Sequence, residues 1–343
     1  DLQEKGIGQR GHIKTVKWDD LRMELISNPT SDEIKKAAKA LKDGHLVAFP
    51  TETVYGLGAD AANGKAISRI YSVKGRPTNH PLIVHISSIG QLHKWAIDIP
   101  EYAIKLAKEF WPGPMTLILK RSDLAKDSIT GGQDNIGLRV PSQPVAIELL
   151  YEFEKIGGQG VAAPSANRFG AVSPTSAKSV VAYLEEFLSD TDLVLDGGEC
   201  LIGIESTIID CTHKIPSVLR PGEITMKKIS DLLGLNVEYA NSTKKRVSGR
   251  LPSHYAPKAT VLLDQIPQPG DGLIALANVE TPAGVVRIAS PENEIQFARI
   301  LYSGLHKADL LKLTRIVVIQ PQNDGISFAI RERLSRAANN KFT

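Results

Sequence analysis

The chain has 343 residues, with 41 lysines and arginines against 38 aspartates and glutamates, which gives a formal net charge of +3. Hydrophobic residues make up 42% of the sequence, which is ordinary for a globular protein. No apolar run reaches the roughly 20 residues of a membrane span, and the small net charge does not require a nucleic-acid partner, although a local basic patch stays compatible with it. At roughly 150 residues per domain, the length predicts about two domains.

The N-terminal segment and the cysteines both indicate an intracellular protein. Residues 1–17 are polar and without a clear period, so we expect an N-terminal arm and no signal peptide. Cys200 and Cys211 match neither a CxxC pair nor a zinc-finger spacing. We interpret them as buried free thiols in a reducing compartment, and we expect a cytoplasmic location.

Residues 18–236 carry short apolar strands mixed with amphipathic helices. The first helix is predicted to begin at Ser31, which can cap it, and to end at Gly44. Strand candidates follow at 46–49, 82–86, 116–119, 136–140, 160–163, 193–195, 207–209 and 217–219. Helical patterns lie at 64–73, 101–110, 143–153, 175–188 and 225–234. The alternation is irregular, which favours an α/β fold with a twisted mixed sheet over a purely parallel one.

Residues 237–258 are polar, basic and rich in turn formers, and we interpret them as a linker between two domains. A second, smaller α/β pattern occupies residues 259–343. Its strands are predicted at 261–263, 273–276, 285–288 and 316–319, and its helices at 292–304 and 327–339. This pattern predicts a three-layer, Rossmann-like C-terminal domain.

Two segments match the letters of phosphate-binding motifs but lack the context or the residue that each motif needs. Gly6 to Gly11 matches GxGxxG but follows no strand, so the match is attributed to chance. Residues 58–66 resemble a P-loop, but Ala66 stands where a serine or threonine must bind magnesium. The sequence has no HExxH, no GxSxG and no paired-cysteine site, so we expect no protein-bound metal and no hydrolytic nucleophile.

Charged side chains at the ends of predicted strands indicate an anion-binding site. Lys74 and Arg76 flank a glycine, which lets a ligand approach the backbone. Arg139 lies within an apolar strand and needs a partner when buried; a ligand carboxylate or a neighbouring Asp or Glu would serve equally. Arg220 ends another strand, where it could bind phosphate or form a surface pair.

Short polar side chains accompany these cations. Ser165 and Asn167 stand at alternate positions, so both can point to one side, which suits phosphate oxygens and equally suits a helix cap. Ser206 precedes another strand. Because no protein nucleophile joins these groups, catalysis at such a site would rest on positioning and charge neutralisation.

Nine segments, in this order, resemble the YrdC-like threonylcarbamoyl-adenylate synthases. They read PTETVYGLG, KGRP, PLIVH, WPGPMT, LRVPS, PSAN, ESTIID, LRPG and HYAPKA. The match is dense over residues 32–236, and the linker and C-terminal region resemble the longer, two-domain form of the family. The resemblance implies an enzyme that condenses L-threonine, bicarbonate and ATP into threonylcarbamoyl-AMP and pyrophosphate. It also implies Mg²⁺ carried with the nucleotide, and a downstream complex that transfers the group to tRNA.

The resemblance also implies roles for individual residues. The family's Lys-x-Arg and Ser-x-Asn signature, taken as catalytic, falls on Lys74, Arg76, Ser165 and Asn167. ATP contacts would fall on Arg76, His80, Asn135, Ser165, Ser173, Arg220, His254 and Tyr255, with Asn135 placed by spacing alone. Threonine contacts would fall on Thr53, His85, Arg139, Ala163 and Ser206. His80 and Phe169 depart from the family's usual Asn and Ser, so the phosphate contact and the mouth of the site can differ here.

Alternatives stay open beside this interpretation. An RNA-binding protein with a basic concave face and no catalysis would use the same cations, although the sequence shows no RNA-binding module. A carbamoyl-transfer domain like those of hydrogenase-maturation proteins would need additional regions that are missing. The linker residues Lys244, Lys245, Arg246 and Arg250, with His254 and Tyr255, are either a lid over the site or a flexible tether. A weak contact with tRNA is compatible with this basic stretch.

Overall fold

The computed structural model describes residues 21–240, 246–247 and 255–338. The strands of its larger, N-terminal part are β1 Glu24–Ser27, β2 Val47–Phe49, β3 Gly56–Asp60, β4 Ile83–His85, β5 Met115–Lys120, β6 Asn135–Arg139, β7 Val161–Ala162, β8 Leu193–Asp196, β9 Thr207–Asp210, β10 Ser217–Arg220 and β11 Glu238–Tyr239. Its helices are α1 Ser31–Lys42, α2 Gly64–Lys74, α3 Leu92–Trp95, α4 Glu101–Phe110, α5 Asp127–Thr130, α6 Pro144–Lys155, α7 Ala177–Leu184 and α8 Met226–Leu233.

The eleven described strands of this part form one mixed sheet in the order β1-β8-β2-β3-β7-β4-β6-β5-β9-β10-β11. Parallel pairs such as β4 with β6 alternate with antiparallel pairs such as β5 with β6. This confirms the mixed α/β sheet predicted from the irregular alternation. The last strand, β11, pairs in parallel with β10, so the segment predicted as linker begins with two residues that extend the sheet.

The two ends of helix α1 are determined by local hydrogen bonds and backbone conformation. Thr30, not Ser31, is the N-cap: its side chain accepts a hydrogen bond from the backbone N–H of Glu33, and the Glu33 carboxylate accepts from the Thr30 N–H. This reciprocal pair satisfies two N–H groups that a helix start leaves unpaired. The predicted end is close to the observed one, because Gly44 adopts φ +91° directly after the cap residue Asp43.

Strand β3 was not among the elements predicted from the sequence, and its composition explains why. It reads GLGAD, and all five residues are buried. A Cβ on Gly58 would come within 2.8 Å of both the Phe49 ring and a methyl of Val161. Glycine therefore allows the strands on either side to approach, although glycine is usually unfavourable inside a strand.

The C-terminal part has its own sheet of four parallel strands, in the order β12-β15-β13-β14. Its elements are β12 Thr260–Leu263, β13 Gly272–Ile274, β14 Val286–Ala289, α9 Glu294–Leu310, β15 Arg315–Val318 and α10 Ile326–Ala338. Ile316 and Val318 belong to the core shared with both helices, whereas Val317 packs with loop residues on the opposite face.

Both C-terminal helices also contact the larger sheet domain. Tyr183 of α7 and His306 of α9 form a hydrogen bond of 3.0 Å, and Phe328 of α10 packs edge-on against Tyr239. At Gly203, an added Cβ would come within 2.5 Å of the α9 backbone at Arg299. The two sheet domains are thus in direct side-chain and backbone contact.

Two smaller predictions can be compared directly with the structure. Cys200 and Cys211 are buried free thiols, as predicted, and burial raises the pKa of Cys200. None of the described helices is long and apolar enough to cross a membrane.

Candidate active site

A cavity opens where the loop between β2 and β3 meets the ends of β4, β6 and β10 and the segments beside β7 and β9. Its empty volume is about 530 Å³, which includes space that is open to solvent. Its lining includes nine of the residues that the sequence assigned to ligand binding or catalysis: Thr53, Arg76, His85, Arg139, Ala163, Ser165, Ser206, Arg220 and Tyr255. Six further residues complete it: Thr51, Val54, Gly56, Ile83, Pro164 and Glu205.

Arg139 has a partner inside the protein, which resolves the two possibilities that the sequence left open. Its Nη2 lies 2.5 Å from the Glu52 carboxylate, and both side chains are 5% exposed. Its Nη1 donates to Thr53 Oγ1 at 3.0 Å and its Nε to the Gly113 carbonyl at 3.3 Å. A guanidinium has five N–H groups. The bonds among described residues therefore leave one N–H on Nη1 and one on Nη2.

The loop after β2 is held by its own threonines. Thr51 Oγ1 accepts hydrogen bonds from the backbone N–H groups of Thr53 and Val54 and donates to the Val54 carbonyl. Thr51 and Thr53 hydroxyls also lie 2.8 Å apart. This compact turn aims Thr53 at Arg139 and turns the chain into β3. Such a turn suits the sequence because threonine readily bonds nearby backbone groups.

His85 is a neutral polar group in the cavity wall. Burial, with the positive charge of Arg139, lowers its pKa to about 3. Its ring lies edge-on to Phe49 at 6.1 Å. Among the described residues, its Nδ1 has no hydrogen-bond partner. A buried polar atom without a partner is costly, so this nitrogen is suited to a ligand group.

Arg76 forms the positive side of the cavity at the end of α2. Its Nη2 donates to the Pro81 carbonyl at 2.9 Å, and its guanidinium lies 5.6 Å from the Phe169 ring centre. Burial lowers its pKa to about 10.

His80 packs edge-on against the same Phe169 ring. Burial, and to a lesser extent the positive charge of Arg76, lowers the pKa of His80. The two residues that depart from the family pattern are therefore in contact with each other.

Lys74 and Asn167 lie behind the cavity lining. The Lys74 ammonium is completely buried and donates to the carbonyls of Ser165 and Asn167. The Asn167 amide donates to the carbonyls of Arg168 and Ala171. Burial lowers the pKa of Lys74 well below its usual value. In this structure both side chains shape the Pro164–Asn167 turn, whose Ser165 reaches the cavity.

A second group of polar residues forms the wall near Arg220. Arg220 Nε and Nη2 donate to the carbonyl and hydroxyl of Ser206, each at 3.0 Å. Ser206 Oγ also lies 2.8 Å from Thr116 Oγ1. Ser173 is one step removed from the cavity, because its hydroxyl donates to Glu205 at 2.7 Å.

The remaining assigned residues lie at the edge of the cavity or beyond it. Tyr255 is buried with φ +66° and stacks on Tyr302 of α9. Asn135 lines a smaller neighbouring pocket with Arg246 and Val247, and not the main cavity. Lys244, Lys245, Arg250 and His254 lie outside the described residues, as do residues 1–17.

Sequence reasoning missed three side chains that organise the site. Glu52 and Glu205 lie inside the quoted motifs PTETVYGLG and ESTIID. The available signal was a carboxylate in each motif that could serve as the partner of a buried arginine. Arg333 of α10 had no such signal, because its contact with Glu205 joins positions 128 residues apart.

Comparison with known proteins shows the family to which this chain belongs. Residues 39–222 match the Sua5/YciO/YrdC family model, described as telomere recombination, and residues 224–339 match the threonylcarbamoyl-AMP synthase C-terminal domain. The threonylcarbamoyl-AMP synthase of Pyrococcus abyssi is 38% identical over 89% of this chain and 94% of its own length. That of Bacillus subtilis is 37% identical over 96% of this chain and 99% of its own length.

A solved structure matches the whole architecture. Sua5 of P. abyssi complexed with L-threonine has a TM-score of 0.83 and 34% identity, and the match covers 93% of this chain and 98% of that one. Both family models and both relatives thus agree with the resemblance noted from the motifs. The chain therefore belongs to the Sua5/YciO/YrdC family of threonylcarbamoyl-AMP synthases, in the form that carries the additional C-terminal domain.

Proposed function

We propose that this protein is an L-threonylcarbamoyladenylate synthase that condenses L-threonine, bicarbonate and ATP into threonylcarbamoyl-AMP and pyrophosphate. The observation that carries the proposal is one cavity that is lined by three buried arginines, Arg76, Arg139 and Arg220. An amino-acid carboxylate and a polyphosphate are the ligands that such groups recognise. The relatives named above act in the same class of reaction.

The threonine would lie on the side of Arg139. The two N–H groups that Arg139 does not use among described residues can donate hydrogen bonds to the carboxylate, while Glu52 and Thr53 hold the guanidinium in place. His85 Nδ1 and the Thr53 hydroxyl are suited to the threonine hydroxyl, and Ala163 and Ser206 would complete the subsite. An uncharged His85 can bond a neutral hydroxyl without placing a second positive charge beside that of Arg139.

The ATP would lie on the side of Arg76, Ser165 and Arg220. The threonine amine first attacks bicarbonate, forming a carbamate with loss of water. A carbamate oxygen then attacks the α-phosphorus, and the bond to the β-phosphate oxygen breaks to release pyrophosphate. Arg76 and Arg220 would stabilise negative charge on the phosphates, so the protein acts by positioning and charge neutralisation. Lys74 and Asn167 would act by fixing the turn that carries Ser165.

We propose that Mg²⁺ enters with the nucleotide and is held through the phosphate oxygens, where it would neutralise charge on the leaving pyrophosphate. The described residues include no group of three His, Cys, Asp or Glu that could hold a metal ion. Glu205, a carboxylate in the described lining, already accepts hydrogen bonds on both oxygens. The donor set therefore fits an ion that arrives with its phosphate ligands.

The linker is proposed as a lid over the nucleotide side of the site. Val247 is buried against Ile118, Ile208 and Leu219 on the sheet, and Arg246 exchanges hydrogen bonds with Gln133. Tyr255 reaches the cavity itself. The linker is thus anchored at both described points, and the product would be shielded from water between them. Deletion of residues 244–255 should increase hydrolysis of the adenylate; unchanged yield and hydrolysis would contradict the lid.

The product would pass to a complex that modifies tRNA, with at most weak tRNA contact by this chain. Against a purely RNA-binding role, the buried arginines Arg76, Arg139 and Arg220 all line one cavity. That role would predict tRNA affinity with steep salt dependence and no ATP turnover.

The deciding experiment follows turnover with ATP, L-threonine, Mg²⁺ and labelled bicarbonate. We expect pyrophosphate release and threonine-dependent incorporation of label into an AMP adduct. L-Serine is the matched control, because it lacks the threonine methyl group but keeps the carboxylate, amine and hydroxyl. ATP binding without a labelled adduct would contradict the proposed reaction.

A further inference from the structure

We propose that Arg333 and Tyr302 of the C-terminal domain are positioning residues for the ATP side of the active site, and that they act through Glu205. The inference rests on the proposed function, because it concerns how the ATP side of that site is held. It also gives the C-terminal domain a defined part in the reaction.

Glu205 is a buried carboxylate in the cavity wall, and its two oxygens are fully engaged. Oε1 accepts from Ser173 Oγ at 2.7 Å. Oε2 accepts from the Tyr302 hydroxyl at 2.8 Å and from Arg333 Nε at 2.9 Å. Two of these three donors come from the C-terminal helices α9 and α10. Burial raises the pKa of Glu205, but Arg333 and then Arg220 outweigh it and lower the pKa to about 2.

The position of Glu205 makes these donors important for a nucleotide. An unbalanced carboxylate in this wall would repel phosphate groups and would attract the guanidinium of Arg220. With Arg333 and Tyr302 in place, Glu205 is bonded on the side of the C-terminal domain, while Arg220 Nε and Nη2 bond Ser206. The C-terminal domain therefore supplies two of the donors to Glu205, while Arg220 bonds Ser206, and both charged groups line the cavity.

Arg333 also holds the backbone beside Arg220. Its Nη2 donates to the Pro221 carbonyl at 2.9 Å, and its side chain is completely buried. Gly222 packs so tightly that an added Cβ would lie 2.5 Å from the Thr207 backbone nitrogen. One guanidinium thus connects the segment before β9 with the segment after β10. A small displacement of α10 would move both segments, and with them Ser206 and Arg220.

The first test compares Arg333→Met with Arg331→Met, its matched control in the same helix. Arg331 donates to the carbonyls of Pro321 and Asn323 within the C-terminal domain. We expect Arg333→Met to raise the KM for ATP by about 10- to 100-fold and the KM for threonine by less than about threefold, because Arg333 acts on the nucleotide through Glu205 and the backbone at Pro221 and not by direct contact. Arg331→Met should leave both KM values close to those of the unaltered protein.

The second test adds Glu205→Gln to Arg333→Met. Removing both members of a buried ion pair costs less than removing one, because no buried charge is left without a partner. We therefore expect the double variant to recover much of the affinity for ATP. Equal losses for both substrates, or losses that simply add in the double variant, would overturn the proposal. Tyr302→Phe, which removes one hydroxyl, should give the same pattern at a few-fold level and serves if Arg333→Met fails to fold.

Hydrogen exchange separates this proposal from the proposed function. Arg333→Met should speed exchange of backbone amides in residues 203–207 and at Gly222, and Arg331→Met should not. If the unaltered protein forms no adduct, the proposed reaction fails, but exchange still decides whether Arg333 holds this wall. Unchanged exchange in these segments would overturn the role of Arg333, whatever the kinetics.

Discussion

The two sheets of this protein differ in whether the polar side chains at the ends of their strands have partners among the described residues. Parallel α/β sheets commonly bind ligands beyond the carboxyl ends of their strands, and the C-terminal sheet is entirely parallel. Yet at that edge Arg287 donates to the carbonyls of Ala275, Leu276, Val279 and Ala289, and Asp264 accepts from Gln320. The mixed sheet keeps N–H groups of Arg139 and His85 Nδ1 without described partners.

This difference teaches that strand topology alone does not place the site. In the mixed sheet, Arg139 and His85 keep nitrogen groups without a partner among the described residues, and both side chains line the cavity. In the parallel sheet, Arg287 donates to backbone carbonyls and to the Thr281 hydroxyl, and Asp264 accepts hydrogen bonds from Gln320. The C-terminal domain accordingly contributes through its helices and not through its sheet edge. Four predictions test this contrast.

The buried pair Arg139–Glu52 should be far more sensitive to truncation than the pair Arg315–Asp271 of the C-terminal sheet. Arg139→Met leaves Glu52 buried without its charge partner, which should reduce the free energy of unfolding by about 3–5 kcal/mol. Arg315 is 45% exposed, so water can replace it and Arg315→Met should cost about 1 kcal/mol or less. Urea denaturation of both variants measures the contrast, and equal losses would contradict it.

Arg76 and Arg287 should separate activity from stability. Arg76→Ala removes a cation from the cavity and should lower kcat/KM by about 10²–10³ through loss of charge stabilisation. Arg287→Ala should leave kcat/KM almost unchanged, because the guanidinium bonds backbone carbonyls and the Thr281 hydroxyl, all within the C-terminal domain. Steady-state kinetics on folded variants decide this. Full activity of Arg76→Ala would remove it from the catalytic assignment, and a large kinetic loss in Arg287→Ala would place a ligand at the parallel edge.

Glycine substitutions should show how rigidly each sheet is packed. In Gly58→Ala the new methyl would meet the Phe49 ring and Val161 at 2.8 Å and the Val47 carbonyl at 3.0 Å, which should cost about 1–3 kcal/mol of stability. In Gly272→Ala it would meet the side-chain ends of Ile288 and Leu313, which can move. We expect a smaller shift in thermal midpoint for Gly272→Ala. The reverse order would indicate that β3 can adjust.

Gly58 also shows which element could not be predicted from the sequence. Most strands and helices were predictable because apolar residues repeat with the period of the element, as Ile34, Ala37, Ala38 and Leu41 do in α1. Strand β3 carries no such pattern, since its glycines are required by the neighbouring strands and not by its own period. A contact between chain segments cannot be read from either segment alone.

The residues of the site also divide into those that the sequence revealed and those that only the fold revealed. Arg139 and Arg220 were found because a charge in or at the end of an apolar strand is conspicuous in a sequence, and Arg76 because it flanks a glycine together with Lys74. Whether Arg139 pairs with a carboxylate of the protein could not be decided until the fold brought Glu52 to within 2.5 Å. The role of Arg333 was inaccessible, because it depends on how one domain packs on the other.

The last prediction concerns the pH dependence of stability and uses His85. The ordinary pKa of histidine is about 6.5, and burial lowers that of His85 to about 3. Between these values the unfolded chain binds one more proton at His85 than the folded chain does. Stability from this group is therefore present above about pH 6.5 and is lost as the pH falls towards 3, by about 1.4 kcal/mol per pH unit.

Comparing His85→Asn with the unaltered protein isolates this slope, because Glu205 and all other groups titrate in both and cancel in the difference. His306→Asn is the matched control at the domain interface, where burial also lowers the histidine pKa but the ring bonds Tyr183. Denaturant midpoints between pH 7 and 4 should fall less steeply for His85→Asn, with a smaller change for His306→Asn. Parallel lines for His85→Asn and the unaltered protein would mean that His85 binds protons equally well in both states, and the neutral wall proposed for threonine would be lost.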